Sequence, residues 1–370
     1  MAIQFVDLAP QYEALKQSIA TRMQAVLNHG KYIMGPEVEE LEIRLANFTG
    51  ATHCITCSSG TEALLISLMA LDIGPGDEVI TTPFSFVAAA EMIVLLGARP
   101  VMVDIQSDSF NLDPARINAA ITPRTKVILP VSLFGQTADL DEICLIASSH
   151  GLPVLEDAAQ SLGASYKGRQ SGNLSTLACT SFFPSKPLGC YGDGGAVFTS
   201  NESLANAVRE IRIHGQAARY YHTRIGVGGR MDTLQCAVVL AKMERFEWEI
   251  RRRGALGNRY SSLLADCEVI TPVIAADRTS VYAQYTIRTP KRDALAEVLR
   301  GLGIPTAIHY PTPIHRQPAY AGFHDGRILP EADKAAEEVI SLPIYPDMDI
   351  QTQDNIVMLV RQALKEIKVQ

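Results

Sequence analysis

Short apolar runs alternate with stretches of helical periodicity up to about residue 215. The runs at 53–59, 78–82, 99–105, 126–133, 153–157, 177–183 and 196–199 have the length and bounding turn residues of buried β-strands. Between them, apolar positions recur at three- and four-residue intervals and predict helices over 61–71, 87–96, 114–120, 140–150 and 202–213. Regular alternation of this kind predicts an α/β domain with a mostly parallel, seven-stranded sheet covered by helices on both faces. Such sheets bind ligands beyond the carboxyl ends of their strands.

The pattern changes after residue 232. Residues 233–264 read as one long helix or a broken pair, followed by a strand at 281–289, a helix at 292–301 and a strand at 306–310. Helices at 332–340 and 351–367 complete a small α+β unit. The expected division is therefore a large domain over 1–240 and a small C-terminal domain over 241–370. The stretch 312–329, rich in Pro, Gly and His, is expected to be the least regular part.

Two residues carry the first chemical signal. Lys186 lies in Ser-Phe-Phe-Pro-Ser-Lys-Pro-Leu-Gly, a short stretch with no other charge, where its surroundings can deprotonate it and make it a Schiff-base nucleophile. Asp157 closes the apolar run at 153–157, the place of a carboxylate that can hold a pyridinium proton. Together they point to pyridoxal 5'-phosphate. Cys57-Ser58-Ser59-Gly60-Thr61-Glu62-Ala63 joins a strand to a helix, so Gly60 and Thr61 fall where free N–H groups favour a phosphate. Alone, Ser-Gly-Thr before a helix is an ordinary cap. Ser181, at the end of a later strand, offers a further hydroxyl, and Phe86 follows the 78–82 strand as a ring able to cover a flat cofactor.

Composition narrows the partners. The 370 residues suffice for two domains, and a net charge of −7 argues against general nucleic-acid binding. Neither a signal sequence nor an apolar run of membrane-spanning length is visible, which predicts a cytoplasmic protein without membrane partners. Seven scattered cysteines form no disulfide framework, and Cys54 and Cys57, three apart on a strand, point to opposite faces. The eight histidines lack ligand spacing, so no metal is expected.

Gly189, Gly192, Gly194 and Gly195 do not match a dinucleotide loop; they read as tight turns that let backbone pass beside a cofactor. Positive charge gathers at Arg209, Arg212, His214, Arg219, His222, Arg224 and Arg230, with only Glu210 and Asp232 nearby in sequence to oppose it. That field would draw in an anionic substrate, and Arg230 is placed to grip a carboxylate with two hydrogen bonds.

Ser-Gly-Thr-Glu-Ala, Glu-Asp-Ala-Ala-Gln, the Lys186 segment, Gly-Asp-Gly-Gly and Arg-Met-Asp-Thr-Leu-Gln, with Gly30–Glu37 and His309–Pro311, resemble the DegT/DnrJ/EryC1/StrS sugar aminotransferases nearly end to end. The resemblance implies a fold-type-I pyridoxal phosphate-dependent transferase, a homodimer sharing its active sites, a nucleotide-sugar substrate and L-glutamate as amino donor. Within the family, 173–199 and 281–286 are similar to members that aminate the 3-keto carbon of a UDP-linked acetamido-uronate for O-antigen and lipopolysaccharide synthesis; members acting on 4-keto-6-deoxy sugars are the alternative. By motif, Lys186 would carry the cofactor and move protons, Asp157 would pair with the ring nitrogen, and Gln160 would contact the ring oxygen. Phe86 would stack on the ring, and Gly60, Thr61 and Ser181 would hold the phosphate. Substrate contacts would be Gly30, Tyr32, Ser185, Arg230, His309 and Tyr310, some from the neighbouring subunit. One departure is Gly228, where relatives commonly carry an asparagine that reaches the phosphate across the dimer; only main-chain N–H remains at this position. A dehydratase relative with histidine in place of Lys186, or a noncatalytic sensor on the same fold, are the rival readings.

Overall fold

The computed structural model describes residues 3–369. Two helices precede the first strand: α1 (Ala9–His29) and α2 (Pro36–Thr49). The sequence reading did not anticipate either. Gly30 ends α1 with φ +68°, a left-handed conformation that glycine adopts without Cβ strain. The strands then follow as β1 (His53–Cys57), β2 (Glu78–Thr81), β3 (Arg99–Met102), β4 (Thr125–Leu129), β5 (Leu155–Asp157), a small hairpin β6–β7 (Ser165–Tyr166, Arg169–Gln170), β8 (Leu177–Ser181) and β9 (Gly195–Thr199).

Strands β3-β2-β4 and β5-β8-β9-β1 form two runs, which bridges Ile128–Val154 and Val131–Asp157 join into one seven-stranded order, β3-β2-β4-β5-β8-β9-β1. Only β9 runs against its neighbours. Both faces are covered, so the strands are apolar along most of their length. Helices α3 (Gly60–Ala70), α4 (Ala88–Leu95) and α6 (Glu202–Arg212) lend residues to a core with Ile55, Cys57 and Val197. Cys54, one residue from Ile55, belongs instead to the core shared with α2 and α7 (Thr233–Leu263), as alternation along a strand demands. A further core joins α5 (Leu140–Ser149) to Ile80, Val101 and Ile128 of β2, β3 and β4.

The long helix α7 is continuous and contains the expected 240/241 boundary. Its final turns, with Leu256 and Tyr260, pack into a second core built on the antiparallel pair β12 (Tyr285–Arg288) and β13 (Val339–Leu342). Helices α8 (Arg292–Gly301) and α10 (Ile350–Val369) cover that pair, and Tyr260 stacks on Tyr285 at 4.7 Å. Between α6 and α7 a hairpin, β10–β11 (Gln216–Ala218, Tyr221–His222), projects from the body.

Some expected strands are shorter, 281–289 being reduced to β12 and 99–105 to β3, and three other elements differ more. Residues 114–120 form two single 3-10 turns, because a seven-residue segment opening on Pro114 is too short to sustain an α-helix against its own ends. The expected strand at 306–310 makes one bridge, Ala307 to Ser341, and then turns toward the sheet, with proline at 305 and 311 removing ladder donors. The expected helix at 332–340 is α9 (Pro330–Glu338), whose last two expected residues start β13.

Candidate active site

Asp157 is the last residue of β5, and the sheet itself fixes it. Its N–H donates to the Pro130 carbonyl at 2.9 Å, and its own carbonyl accepts from the Ser132 N–H at 3.0 Å. The carboxylate, 8% exposed, accepts one hydrogen bond from the Ala159 N–H at 3.0 Å. Burial raises its pKa; that bond and the positive charge of Lys186 pull the other way without prevailing.

Lys186 sits on a closed loop beyond β8. Pro184 and Pro187 keep the segment out of a helix, and two backbone bonds pin it: Lys186 N–H to Phe183 O at 2.9 Å and Cys190 N–H to Phe182 O at 2.7 Å. Gly189 is obligatory there, since a Cβ would lie 2.6 Å from the Pro184 carbonyl oxygen. Burial lowers the Lys186 pKa, and Asp157 opposes that shift. The same ammonium, with burial, also lowers the pKa of His309. Lys186, Asp157 and His309 thus share one electrostatic neighbourhood.

Gln160 and Tyr310 close a second side. The Gln160 carbonyl accepts from the Phe134 N–H at 3.0 Å, leaving its amide to donate to the Tyr310 hydroxyl at 3.4 Å. Burial raises the Tyr310 pKa, so this hydroxyl keeps its proton; the Phe86 backbone also bonds it. Phe86 itself is 55% exposed, an aromatic with an open face at the rim. His309 is held from behind by Ser341 at 3.1 Å. Ser185, next to Lys186, is exposed.

The third side is a cradle at the start of α3. Ser59 is the N-cap, its Oγ accepting from the Glu62 N–H at 3.0 Å, so Gly60 and Thr61 occupy the first helical positions. Their N–H groups have no intrahelical acceptor. A Cβ on Gly60 would stand 2.5 Å from Ser181 Cβ, and one on Gly195 would stand 2.6 Å from the Ser59 carbonyl carbon. Glycine at both positions lets β8, β9 and the helix start converge. Ser58 Oγ is buried there without a hydrogen-bond partner among the described residues. This residue was missed, although Ser-Ser-Gly-Thr contained it.

These features fit pyridoxal phosphate. The cradle offers hydroxyls and free N–H groups to a phosphate, Asp157 offers a carboxylate to a ring nitrogen, and Lys186 offers an amine of lowered pKa. Among the described residues no group of three or more His, Cys, Asp or Glu is arranged to hold a metal ion, and no helix is long and apolar enough to cross a membrane.

The remaining expected residues form a separate strip. Ile33 bridges Asp232, and the Thr233 N–H donates to the Tyr32 carbonyl at 3.0 Å, which aligns Gly30 and Tyr32 with Arg230. Among the described residues no hydrogen bond or ion pair joins this strip to Lys186 or Asp157; the Ser58 N–H, donating to the Gly229 carbonyl at 2.9 Å, ties it to the cradle. The basic cluster is less free than its sequence implied. Arg212 is buried and bound to Glu42 at 2.6 Å and to the Thr56 carbonyl at 2.9 Å, and Arg224 is paired with Glu210 at 3.0 Å. Arg230 has no ion-pair partner among the described residues.

Known proteins resemble the chain over nearly its whole length. A family model described as the DegT/DnrJ/EryC1/StrS aminotransferase family matches residues 13–361. The chain is 56% identical to the UDP-2-acetamido-2-deoxy-3-oxo-D-glucuronate aminotransferase of Pseudomonas aeruginosa, over 94% of this chain and 96% of that protein. Among solved structures it resembles DesV of S. venezuelae, captured in complex with a ketimine intermediate (TM-score 0.95, 40% identity, 98% of each chain). It also resembles a Bacillus subtilis protein, NtdA, with bound cofactor PMP (TM-score 0.90, 30% identity, 98% of this chain and 83% of that one).

Proposed function

Because this chain belongs to the DegT/DnrJ/EryC1/StrS aminotransferase family and is a pyridoxal phosphate-dependent aminotransferase, we propose that it moves an amino group from L-glutamate to the 3-keto carbon of UDP-2-acetamido-2-deoxy-3-oxo-glucuronate. The products are the 3-amino sugar and 2-oxoglutarate, and the setting is cytoplasmic synthesis of O-antigen and lipopolysaccharide sugars. The observation that carries the reading is the pairing of Lys186 with Asp157 at the carboxyl edge of the sheet, beside the Gly60–Ser181 cradle. The choice of sugar rests on the 56% identity to the Pseudomonas enzyme.

When bound, the cofactor supplies a conjugated ring that spreads the electron pair left when an amino acid loses its α-proton. Lys186 Nζ, with its pKa lowered by burial, holds the cofactor, takes that α-proton and delivers it again. Asp157 keeps a proton on the ring nitrogen; its buried, single-bonded carboxylate is suited to sharing one. Gln160 would help hold the ring in place, and Phe86, exposed at the rim, would shield it from water. Gly60, Thr61 and Ser181 hold the phosphate. Ser185, His309 and Tyr310 line the substrate side, and Arg230, with Gly30 and Tyr32, receives the sugar's carboxylate or diphosphate. Gly228 contributes a main-chain N–H only.

The active form in this reading is a homodimer in which the strip of Tyr32 and Arg230 faces the partner's site. Exposed apolar side chains at Tyr32, Ile33 and Met34, and at Tyr220, Tyr221 and Ile225 around the projecting hairpin, support burial against a second copy.

The test is substrate discrimination. Cofactor-loaded protein treated with glutamate should lose the visible absorbance of its aldehyde form and regain it with the UDP-linked 3-keto acid, with ping-pong steady-state kinetics. Recovery with a UDP- or dTDP-4-keto-6-deoxy sugar alone would overturn the regiochemistry. No response to glutamate would favour a noncatalytic sensor.

A further inference from the structure

The run Gly226-Val227-Gly228-Gly229 has almost no side chains, yet the space above it is filled. A Cβ on Gly228 would lie 3.2 Å from Cε1 and 3.3 Å from Nε2 of His214, and 3.8 Å from an Arg230 guanidinium nitrogen. The imidazole therefore lies over Gly228, on the same side as the Arg230 head group. Its position is built into the backbone. Ile213 bridges Gly228, the His214 N–H donates to the Val227 carbonyl at 3.0 Å, and the His214 carbonyl is met by His222 Nδ1 at 2.9 Å. His214 itself takes a left-handed φ of +65°, an uncommon conformation for a residue with a side chain.

Among the described residues neither the His214 ring nor the Arg230 guanidinium has a hydrogen-bond or ion-pair partner, whereas their charged neighbours are engaged. Arg212 is turned inward to Glu42, and Arg224 and Thr223 both bind Glu210. The acid that remains close is Glu62, whose carboxylate is 3.6 Å from a Cβ placed on Gly229 and whose pKa is raised by burial. One residue from Gly228, the Gly229 carbonyl takes the Ser58 N–H, so the corner abuts the loop that carries the unpartnered Ser58 Oγ and the free N–H groups of α3.

We infer that His214 is an anion-binding residue, paired with Arg230 over the bare Gly228 to grip a phosphate group. The inference rests on the functional reading above. Two phosphates satisfy the chemistry, the cofactor's own and the diphosphate of the nucleotide sugar. A ring nitrogen and a guanidinium side by side suit either, because hydrogen bonds from charged donors to phosphate oxygens are among the stronger ones available.

The experiment has two arms, each run on wild type, His214→Ala and His214→Gln. In the first, apoprotein is titrated with pyridoxal phosphate and binding is followed by visible absorbance and by fluorescence of the sole tryptophan, Trp248. In the second, UDP competes with the nucleotide sugar on cofactor-loaded protein. Loss of one charge-assisted hydrogen bond predicts about tenfold weaker binding in one arm for His214→Ala, with His214→Gln recovering part of it. The arm that changes identifies the phosphate. Gly228→Ala retains the histidine but puts a methyl where the ring lies, and should weaken the same arm by a smaller factor, which keeps the test open should His214→Ala melt early. Equal affinities for wild type and both variants in both arms would overturn the inference. Failure of wild type to bind pyridoxal phosphate would instead sink the aminotransferase reading.

Discussion

Lys186 and Lys242 are alike by electrostatics and unlike by surroundings. Burial lowers the pKa of both, to about 8 for Lys242. Lys242 lies in the first third of α7, 1% exposed, with its ammonium 4.4 Å from the centre of the Tyr191 ring and no hydrogen-bond partner among the described residues. Helix and core seal it on every side. Lys186 stands on a pinned loop at the open edge of the sheet, facing Asp157 and close to the Gly60–Ser181 cradle. A lowered pKa makes an amine available as a nucleophile, but the place of that amine decides whether an aldehyde can reach it. A list of perturbed lysines would rank Lys242 with Lys186; the geometry separates them.

Activity should break the pair most sharply. Lys186→Ala should cut turnover by about 10⁴-fold or more, since it removes both the covalent attachment and the proton carrier. Lys242→Met should leave kcat within a few-fold of wild type, which steady-state assays on both variants will show. A smaller loss, on the order of 10² to 10³, is expected for Asp157→Asn, which keeps the shape but not the charge that holds the ring proton. Its effect belongs in kcat rather than in the KM for glutamate.

Stability separates the lysine in the helix from a carboxylate beside the site. Between pH 8 and 10.5 the unfolded chain holds more protons at Lys242 than the folded one, so stability should rise with pH there by roughly 3 kcal/mol. Glu156 behaves oppositely. It adjoins Asp157 on β5 but points to the other face, where it accepts from Ser171 Oγ at 2.7 Å and the Gly172 N–H at 3.2 Å, and burial raises its pKa from 4.5 to about 7. The folded state then holds the extra proton, and stability falls by a similar amount as pH rises from about 4.5 to 7. Denaturation across pH should show the rise abolished in Lys242→Met and the fall abolished in Glu156→Gln. Lys242→Met should also be the more stable protein at pH 7, by about 1 to 3 kcal/mol, because it removes an unpartnered buried charge.

What could be read from the sequence follows the same division. The seven strands of the sheet were legible because each is a compact apolar run with turn residues at its ends; Asp157 and Ser181 do stand at strand ends and Gly60 at the start of α3, where the sequence reading put them. Helix α1 was not legible. Its buried face is Gln11, Leu15, Ile19 and Val26, and much of its anchorage is polar: Gln11 to Glu249 at 2.9 Å, with Ser18 and Arg22 both meeting Glu244. Leu15, Ile19 and Val26 are helically spaced but too few to stand out, and the polar partners lie more than 200 residues away, where no local reading finds them. The basic cluster was misread for a similar reason, since Glu42, which neutralises Arg212, lies on α2, 170 residues earlier. Nor did spacing reveal His214 over Gly228; only the fold returns that ring to the glycine run.

The most direct test is to reduce the cofactor-loaded protein with borohydride, digest it and locate the phosphopyridoxyl group by mass spectrometry. The account predicts the label on Lys186 alone, with Lys242 unmodified. A label on Lys242, or none on the peptide that carries Lys186, would contradict it.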